Sequence, residues 1–361
     1  MKQYKKLFKK IISYRLFWPT LALVLLLLLN LIFIKDFFVI EIKDGHLYGS
    51  LIDILRRGAP LMLIVIGLTL VIAAGGIDIS IGSVVAIAGI TSATLIGGKM
   101  VFVNGVQQYV SLIPMPLAII ITLAVASLCG LWNGLLVSKL GLQAYVATLI
   151  LQVAGRGIAQ LISKGNVLTV YYKPFFFIGS GYIMGLPFSI FIVAAVLLLV
   201  MLLVKKTAFG LFLESICTNR LASKFAGLNV QKITLTCYVI CGLCAGIAGI
   251  LITSEIKSAD GNNTGLFMEL DAVLAYAVAG NNMKGGRFSL PASVIGALII
   301  QTLTTTIYAM GIAPEVTMVV KAVVVILVCL IQSDMFKKLF VNKSKVVNKS
   351  LGESKEVEVA I

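Results

Sequence analysis

An apolar stretch of 41 residues, 58–98, limits this chain more than any other feature, and its one notable interruption is "GGID" at 75–78. As a single helix it would run about 61 Å, twice the roughly 30 Å hydrocarbon core of a bilayer. The chain cannot hide it in a water-soluble domain. Only 12% of its 361 residues are charged and 59% are hydrophobic, against about 25% charged in a soluble domain. The stretch must therefore fold back within a membrane, and "GGID" is where it can. Gly75 and Gly76 tolerate the left-handed conformation that ends a helix. Asp78 is a strong N-cap residue, which places the next helix start at Ile79.

Further apolar runs fall near 16–34, 116–137, 142–162, 186–204, 233–253, 267–280, 291–310 and 314–333. With the fold-back counted twice they make about ten transmembrane helices. They are continuous, whereas barrel strands would alternate. The expected fold is an all-α, polytopic helical membrane protein. An even number of spans puts both termini on one side. With that side cytoplasmic, 20 basic residues fall inside and eight outside, as the positive-inside bias requires. Three parts follow: a basic cytoplasmic tail at 1–15, a transmembrane domain at 16–333, and a flexible cytoplasmic tail at 334–361. The basic start resembles a signal n-region, but no small-residue cleavage site follows its apolar run, so the first span is expected to stay uncleaved.

The net charge of +15 belongs to this membrane asymmetry. No basic-aromatic soluble module accompanies it, which argues against a nucleic-acid partner. Cys237, Cys241 and Cys244 share one helical face, but a zinc site wants four ligands, and free cysteines pack as small hydrophobes. The only histidine, His46, lies in an exterior loop, so His-based triads and histidine-rich metal sites are unavailable. No P-loop pattern occurs. No catalytic set, metal or cofactor is expected, and any ATP that drives the chain must be hydrolysed by a partner.

Intramembrane charges usually face a cavity, a partner or a pathway. Asp78, Arg156 and Lys321 are the candidates, with Glu269 and Asp271 near a helix start. For Asp78 the structural alternative is a cap, for Glu269 and Asp271 a favourable first turn, and for Arg156 and Lys321 snorkelling or an ion pair. The segment 205–232, "KKTAFGLFLESICTNRLASKFAGLNVQK", reads as short helix, turn, short helix on the cytoplasmic surface. Such an element either inserts into a groove on a soluble partner or rests on lipid headgroups.

The motifs together resemble the membrane permeases of bacterial ABC sugar importers of the ribose/galactose/xylose type. "TLVIAAGGIDISIGSVVAIAG" is similar to that family's Gly-Gly-Ile-Asp signature. "LWNGLLVSKLGLQAYVATLILQVAGRGIAQLI" resembles its middle spans, and "LESICTNRLASKFAGLNV" its cytoplasmic coupling loop. "ELDAVLAYAVAGNNMKGGRFSLPASVIGALIIQTL" resembles its late signature. "DGHLYGSLIDILRRGAP", "DGNNTGLFMELDA" and "GGRFSLP" suggest the galactofuranose-type permeases as the nearest subgroup. Ser215, Cys217 and Thr218 in the loop, and "AGNNMK" in the late motif, depart from the family pattern.

The resemblance implies an ABC importer permease that carries a sugar, galactofuranose or another monosaccharide, across the inner membrane. It implies a P-loop ATPase subunit, a periplasmic or lipid-anchored sugar-binding protein, and a second permease copy as homodimer or heterodimer. Glu214, Asn219, Arg220 and Gly227 would then face the ATPase. Gly75, Gly76, Asp78 and Arg156 would lie at the pathway or its gate. Neutral-sugar sites use amide and hydroxyl partners, so Asn133, Gln152, Gln160 and Gln301 are candidate sugar contacts, with interhelical hydrogen bonding as the structural alternative. The competing function is an ion-coupled secondary transporter using Asp78 with Arg156 or Lys321.

Overall fold

The computed structural model describes residues 16–43, 45–103, 106–283, 288–313 and 316–323. The basic segment 1–15, the loop cations Lys284 and Arg287, most of the run at 314–333 and the tail 334–361 lie outside the described residues. Residues up to Ala309 form one compact unit. In the second unit, residues 316–323 are helical and include Lys321.

Among the described residues, six helices are long and apolar enough to cross a membrane. In chain order, with α1 at Phe17–Phe33, these are α2 (Ser50–Ala73), α4 (Met115–Ser138), α5 (Ala144–Ser163), α7 (Phe188–Lys206), α10 (Val230–Ile256) and α12 (Leu290–Ala309). Shorter helices fill the remaining places: α3 (Ile81–Ile96), α6 (Lys173–Ser180), α8 (Ala208–Thr218), α9 (Arg220–Phe225) and α11 (Met268–Val278). The apolar stretch does fold back, although α2 begins at Ser50 rather than 58 and so takes in Asp53 and Arg56. Arg56 accounts for its place there, lying 2.9 Å from Asp53 and 3.5 Å from Glu255 at the far end of α10.

The two limbs of the fold-back, α2 and α3, scarcely touch. Each packs on α10, which stands between them and also carries α4. Small residues make this possible. Cys241 and Cys244 abut Gly67 of α2, where an added Cβ would lie 2.8 Å from the Cys241 backbone. On the α4 side, a Cβ at Gly242 would lie 2.5 Å from the Ala126 carbonyl. Close approach of backbones replaces large-residue interdigitation here. All three cysteines are buried, and Cys241 and Cys244 pack against Gly67. By contrast, α1, α4, α5 and α7 keep one face of large exposed apolar side chains, such as Ile32, Trp132, Val153 and Leu199.

The all-α expectation needs one amendment, because the described residues include four short antiparallel two-stranded ribbons. They pair β1 (Glu41–Lys43) with β2 (His46–Tyr48), β3 (Lys99–Val103) with β4 (Val106–Val110), and β6 (Tyr182–Ile183) with β7 (Leu186–Pro187). The fourth joins β5 (Leu168–Thr169) to β8 (Ser258–Ala259), with Leu168 opposite Ala259. All fall in segments that the charge count places outside. They are stitched together: Leu47 N–H donates to Gly185 O at 3.2 Å, and Tyr171 N–H to Gly97 O at 2.8 Å. His46 stacks on Tyr182 with ring centroids 4.6 Å apart, and Tyr109 on Tyr171 at 4.9 Å. Main-chain pairing between these segments satisfies their own backbone groups.

Candidate functional site

The fold-back is built by two local motifs in succession. α2 ends in a Schellman closure: Gly76 N–H donates to Val71 O at 3.0 Å and Gly75 N–H to Ile72 O at 2.9 Å. Gly75 has φ +79°, the left-handed turn that this closure demands of its C′ residue. Asp78 then makes an Asx turn. Its Oδ1 accepts from Ser80 N–H at 3.0 Å and from Ser80 Oγ–H at 2.7 Å. The helix starts at Ile81 with Ser80 in the cap position, two residues later than expected, because the carboxylate spends its acceptor on Ser80.

Three neighbouring elements hold this break. From α4, Asn133 Nδ2 donates to Ser80 Oγ at 2.8 Å and to Asp78 Oδ1 at 3.4 Å. From α10, Tyr238 O–H donates to Ile77 O at 3.2 Å. From the start of α9, Arg220 Nη1 donates to Ala74 O at 3.3 Å. Asp78 is only 2% exposed, and Asn133 and Ser80 are fully buried. Asn133 Oδ1 is buried without a hydrogen-bond partner among the described residues.

A second polar assembly lies along α5. Gln152, Arg156 and Gln160 are spaced four apart and so share one helix face. Arg156 and Gln160 reach the segment between β8 and α11, and Gln152 reaches the first turn of α11. Gln152 Nε2 donates to Glu269 Oε1 at 3.0 Å. Arg156 Nη1 meets three carbonyls, those of Gly261 at 3.3 Å, Asn262 at 3.1 Å and Thr264 at 2.6 Å. Gln160 donates to the Asn262 side-chain carbonyl. The segment is preformed by Asp260, which accepts from Asn262 N–H at 2.9 Å and from Asn263 Nδ2 at 2.6 Å. Glu269 is 4% exposed, and its Oε2 has no hydrogen-bond partner among the described residues.

The third assembly is the segment 205–232. Its two helices form an elbow at Asn219, whose Oδ1 accepts from Ala222 N–H at 3.0 Å and so caps α9. Gly227, with φ +83°, closes α9 by letting Leu228 N–H reach Ser223 O at 3.1 Å. α8 buries Leu213, Ile216 and Cys217. Outward stand Glu214, Leu211, Leu221 at 70% exposure and Phe225 at 88%.

The structure thus separates residues that the sequence grouped and joins some that it kept apart. Of the four candidate sugar contacts, Asn133 sits on the break, and Gln152 and Gln160 grip the 260–269 segment. Gln301 lies elsewhere, with Nε2 donating to Thr305 Oγ1 at 3.4 Å and its stem packed on Gly58. Asp78 and Arg156 belong to different assemblies and share no hydrogen bond among the described residues. Arg220 of the loop and the Gly75 turn meet directly. Sequence reasoning missed Asp260 and Asn262. The four-residue spacing of the polar groups on α5 is the signal that would have found their counterpart.

Residues 50–329 match the family model described as the permease component of branched-chain amino acid transport systems. The chain is 46% identical to the galactofuranose transporter permease protein of Escherichia coli, over 89% of this chain and 92% of that one. It is 36% identical to the fructose import permease protein of Bifidobacterium longum, over 93% of each. It is 30% identical to the ribose import permease protein of Haemophilus influenzae, over 86% of this chain and 90% of the relative. No solved structure matches the chain.

Proposed function

The chain belongs to this family of transport-system permease components, and from that premise we propose how it works as the membrane subunit of an ATP-driven sugar importer. It is a transport subunit and not an enzyme; a separate subunit hydrolyses the ATP. The cargo we assign is a monosaccharide, with galactofuranose the first to test, after the relative at 46% identity. The working assembly is a pair of permeases in the cytoplasmic membrane, with a P-loop ATPase below and a sugar-binding protein above. Each permease has about ten spans and both ends in the cytoplasm. This orientation agrees with the basic residues on the ATPase side and the ribbon strands on the other.

One observation carries the reading: the α8–Asn219–α9 elbow presents Leu221 and Phe225 to solvent while Arg220 reaches inward to the end of α2. Buried apolar side chains hold the elbow to the bundle, and exposed ones are left for a partner. We assign Glu214, Asn219, Arg220 and Gly227 to that docking surface. Gly75, Gly76 and Asp78 form the moving break, and Asn133 sets its polar interior. Arg156, with Gln152 and Gln160, secures the outer segment 260–269 that shapes the mouth of the route. Gln301 remains a candidate sugar contact from α12.

Uptake of radiolabelled sugar into proteoliposomes tests the reading. The permease alone should carry nothing. With the ATPase and binding protein it should carry sugar when ATP is supplied, and Glu214→Arg should reduce that uptake at least several-fold. Robust uptake by the permease alone under a proton or sodium gradient would overturn it.

A further inference from the structure

Arg220 is bonded to the turn that breaks the fold-back, and this link gives the coupling elbow a mechanical route into the membrane. The segment 74–80 has fixed points at both ends. Arg220 holds Ala74 O at 3.3 Å. Tyr238 holds Ile77 O at 3.2 Å, and Asn133 and Ser80 hold the far side at Asp78. Between the first anchor and the second lie only Gly75 and Gly76. Gly75 is exposed and already in the left-handed region, with no neighbour nearer to an added Cβ than Arg220 itself, at 3.8 Å. Gly76 is enclosed, since a Cβ there would meet Tyr238 Oη at 2.6 Å. The soft joint is therefore one residue long, and its two sides are gripped by different elements.

The Arg220 end is fixed to the elbow rather than to the bundle. Arg220 is the first residue of α9, whose start is capped by Asn219. A displacement of the elbow must move the guanidinium with it. Its partner, Ala74 O, is a free carbonyl at the C-terminus of a 24-residue helix, where a cation is favoured by the unpaired acceptors and the helix dipole.

We propose that Arg220 is the positioning residue that transmits movement of the α8–α9 elbow to the α2–α3 break, with Gly75 as the hinge and Tyr238 as the fixed point against which it turns. This rests on the chain working with an ATPase. It adds to that reading a specific linkage between the docking surface and Asp78.

The test uses full-length permease reconstituted with its ATPase and binding protein, and an environment-sensitive fluorophore on Ile79→Cys, beside the break. In the parent protein the emission should shift when ATP and vanadate trap the complex. Arg220→Ala should abolish that shift and cut sugar uptake per ATP hydrolysed at least tenfold. Arg220→Lys, which keeps a cationic donor, should restore at least half of both. Tyr238→Phe, which frees Ile77 without touching the elbow, should uncouple in the same way. An unchanged shift and unchanged uptake per ATP in Arg220→Ala would overturn the linkage and leave the importer reading standing. A parent permease that never engages the ATPase would overturn both.

Discussion

The side-chain amide of Asn133 donates to the hydroxyl of Ser80 at 2.8 Å and, more loosely, to the carboxylate of Asp78 at 3.4 Å. One α4 residue thus braces both buried polar side chains of the break. Asn133→Leu keeps the branched outline of the side chain and removes the donor. Stability should fall by about 1–3 kcal/mol, the usual cost of stranding a buried polar group. A lower melting temperature of the detergent-solubilised protein would report it. Asn133→Asp should be worse, because it sets a second carboxylate beside Asp78. Two variants melting with the parent would reject this role.

Gly82 lies under Glu269. A Cβ at Gly82 would collide with Glu269 Oε2 and come within 2.6 Å of Gly265 O. Gly82→Ala should therefore lose about 1–3 kcal/mol by overpacking. Pairing it with Glu269→Ala, which removes the carboxylate, should recover part of that loss in the same melting assay. A strictly additive double variant would show that the two side chains do not meet.

Arg156 gathers the carbonyls of Gly261, Asn262 and Thr264. Arg156→Leu leaves those acceptors unpaired and should loosen the segment without unfolding the bundle. Hydrogen exchange at 260–264 should accelerate by tenfold or more, with α4 and α10 unaffected. Arg156→Lys retains one cationic donor and should fall between. Unchanged exchange in the leucine variant would contradict the clamp.

Phe225 and Leu221 are exposed on α9 at 88% and 70%. Phe225→Asp should leave the melting temperature within a degree or two, since exposed substitutions rarely cost more than about 0.5 kcal/mol. Co-purification of the ATPase subunit should nevertheless drop sharply. Normal recovery of the ATPase with Phe225→Asp and Leu221→Asp combined would remove α9 from the docking surface.

The fold-back at "GGID" was legible because length and chemistry agree there: the apolar stretch is twice a membrane's thickness, and glycines mark its middle. The elbow at 205–232 was legible for a similar reason, with Asn219 and Gly227 as start and stop signals around short amphipathic runs. The partition of the fold-back by α10 was not. Gly67, Gly130, Gly242 and Gly249 announce close packing, but a small residue does not name its partner. The β5–β8 ribbon was missed because two-residue strands such as Leu168–Thr169 carry no periodicity, and the partner lies about ninety residues away. The polar candidates were scattered for a related reason. Glutamine on an apolar helix signals a partner and does not say whether that partner is a sugar or, as for Gln152, a carboxylate on another helix.

The stitched ribbons also bear on how a soluble protein would meet this one. Hairpins tied by main-chain bonds and stacked rings, with Leu47 fastened to Gly185 and His46 against Tyr182, form a platform that is already ordered. For a partner that lands there, as proposed above, little loop entropy would be forfeited on arrival, leaving more of the energy of that encounter for the transport step.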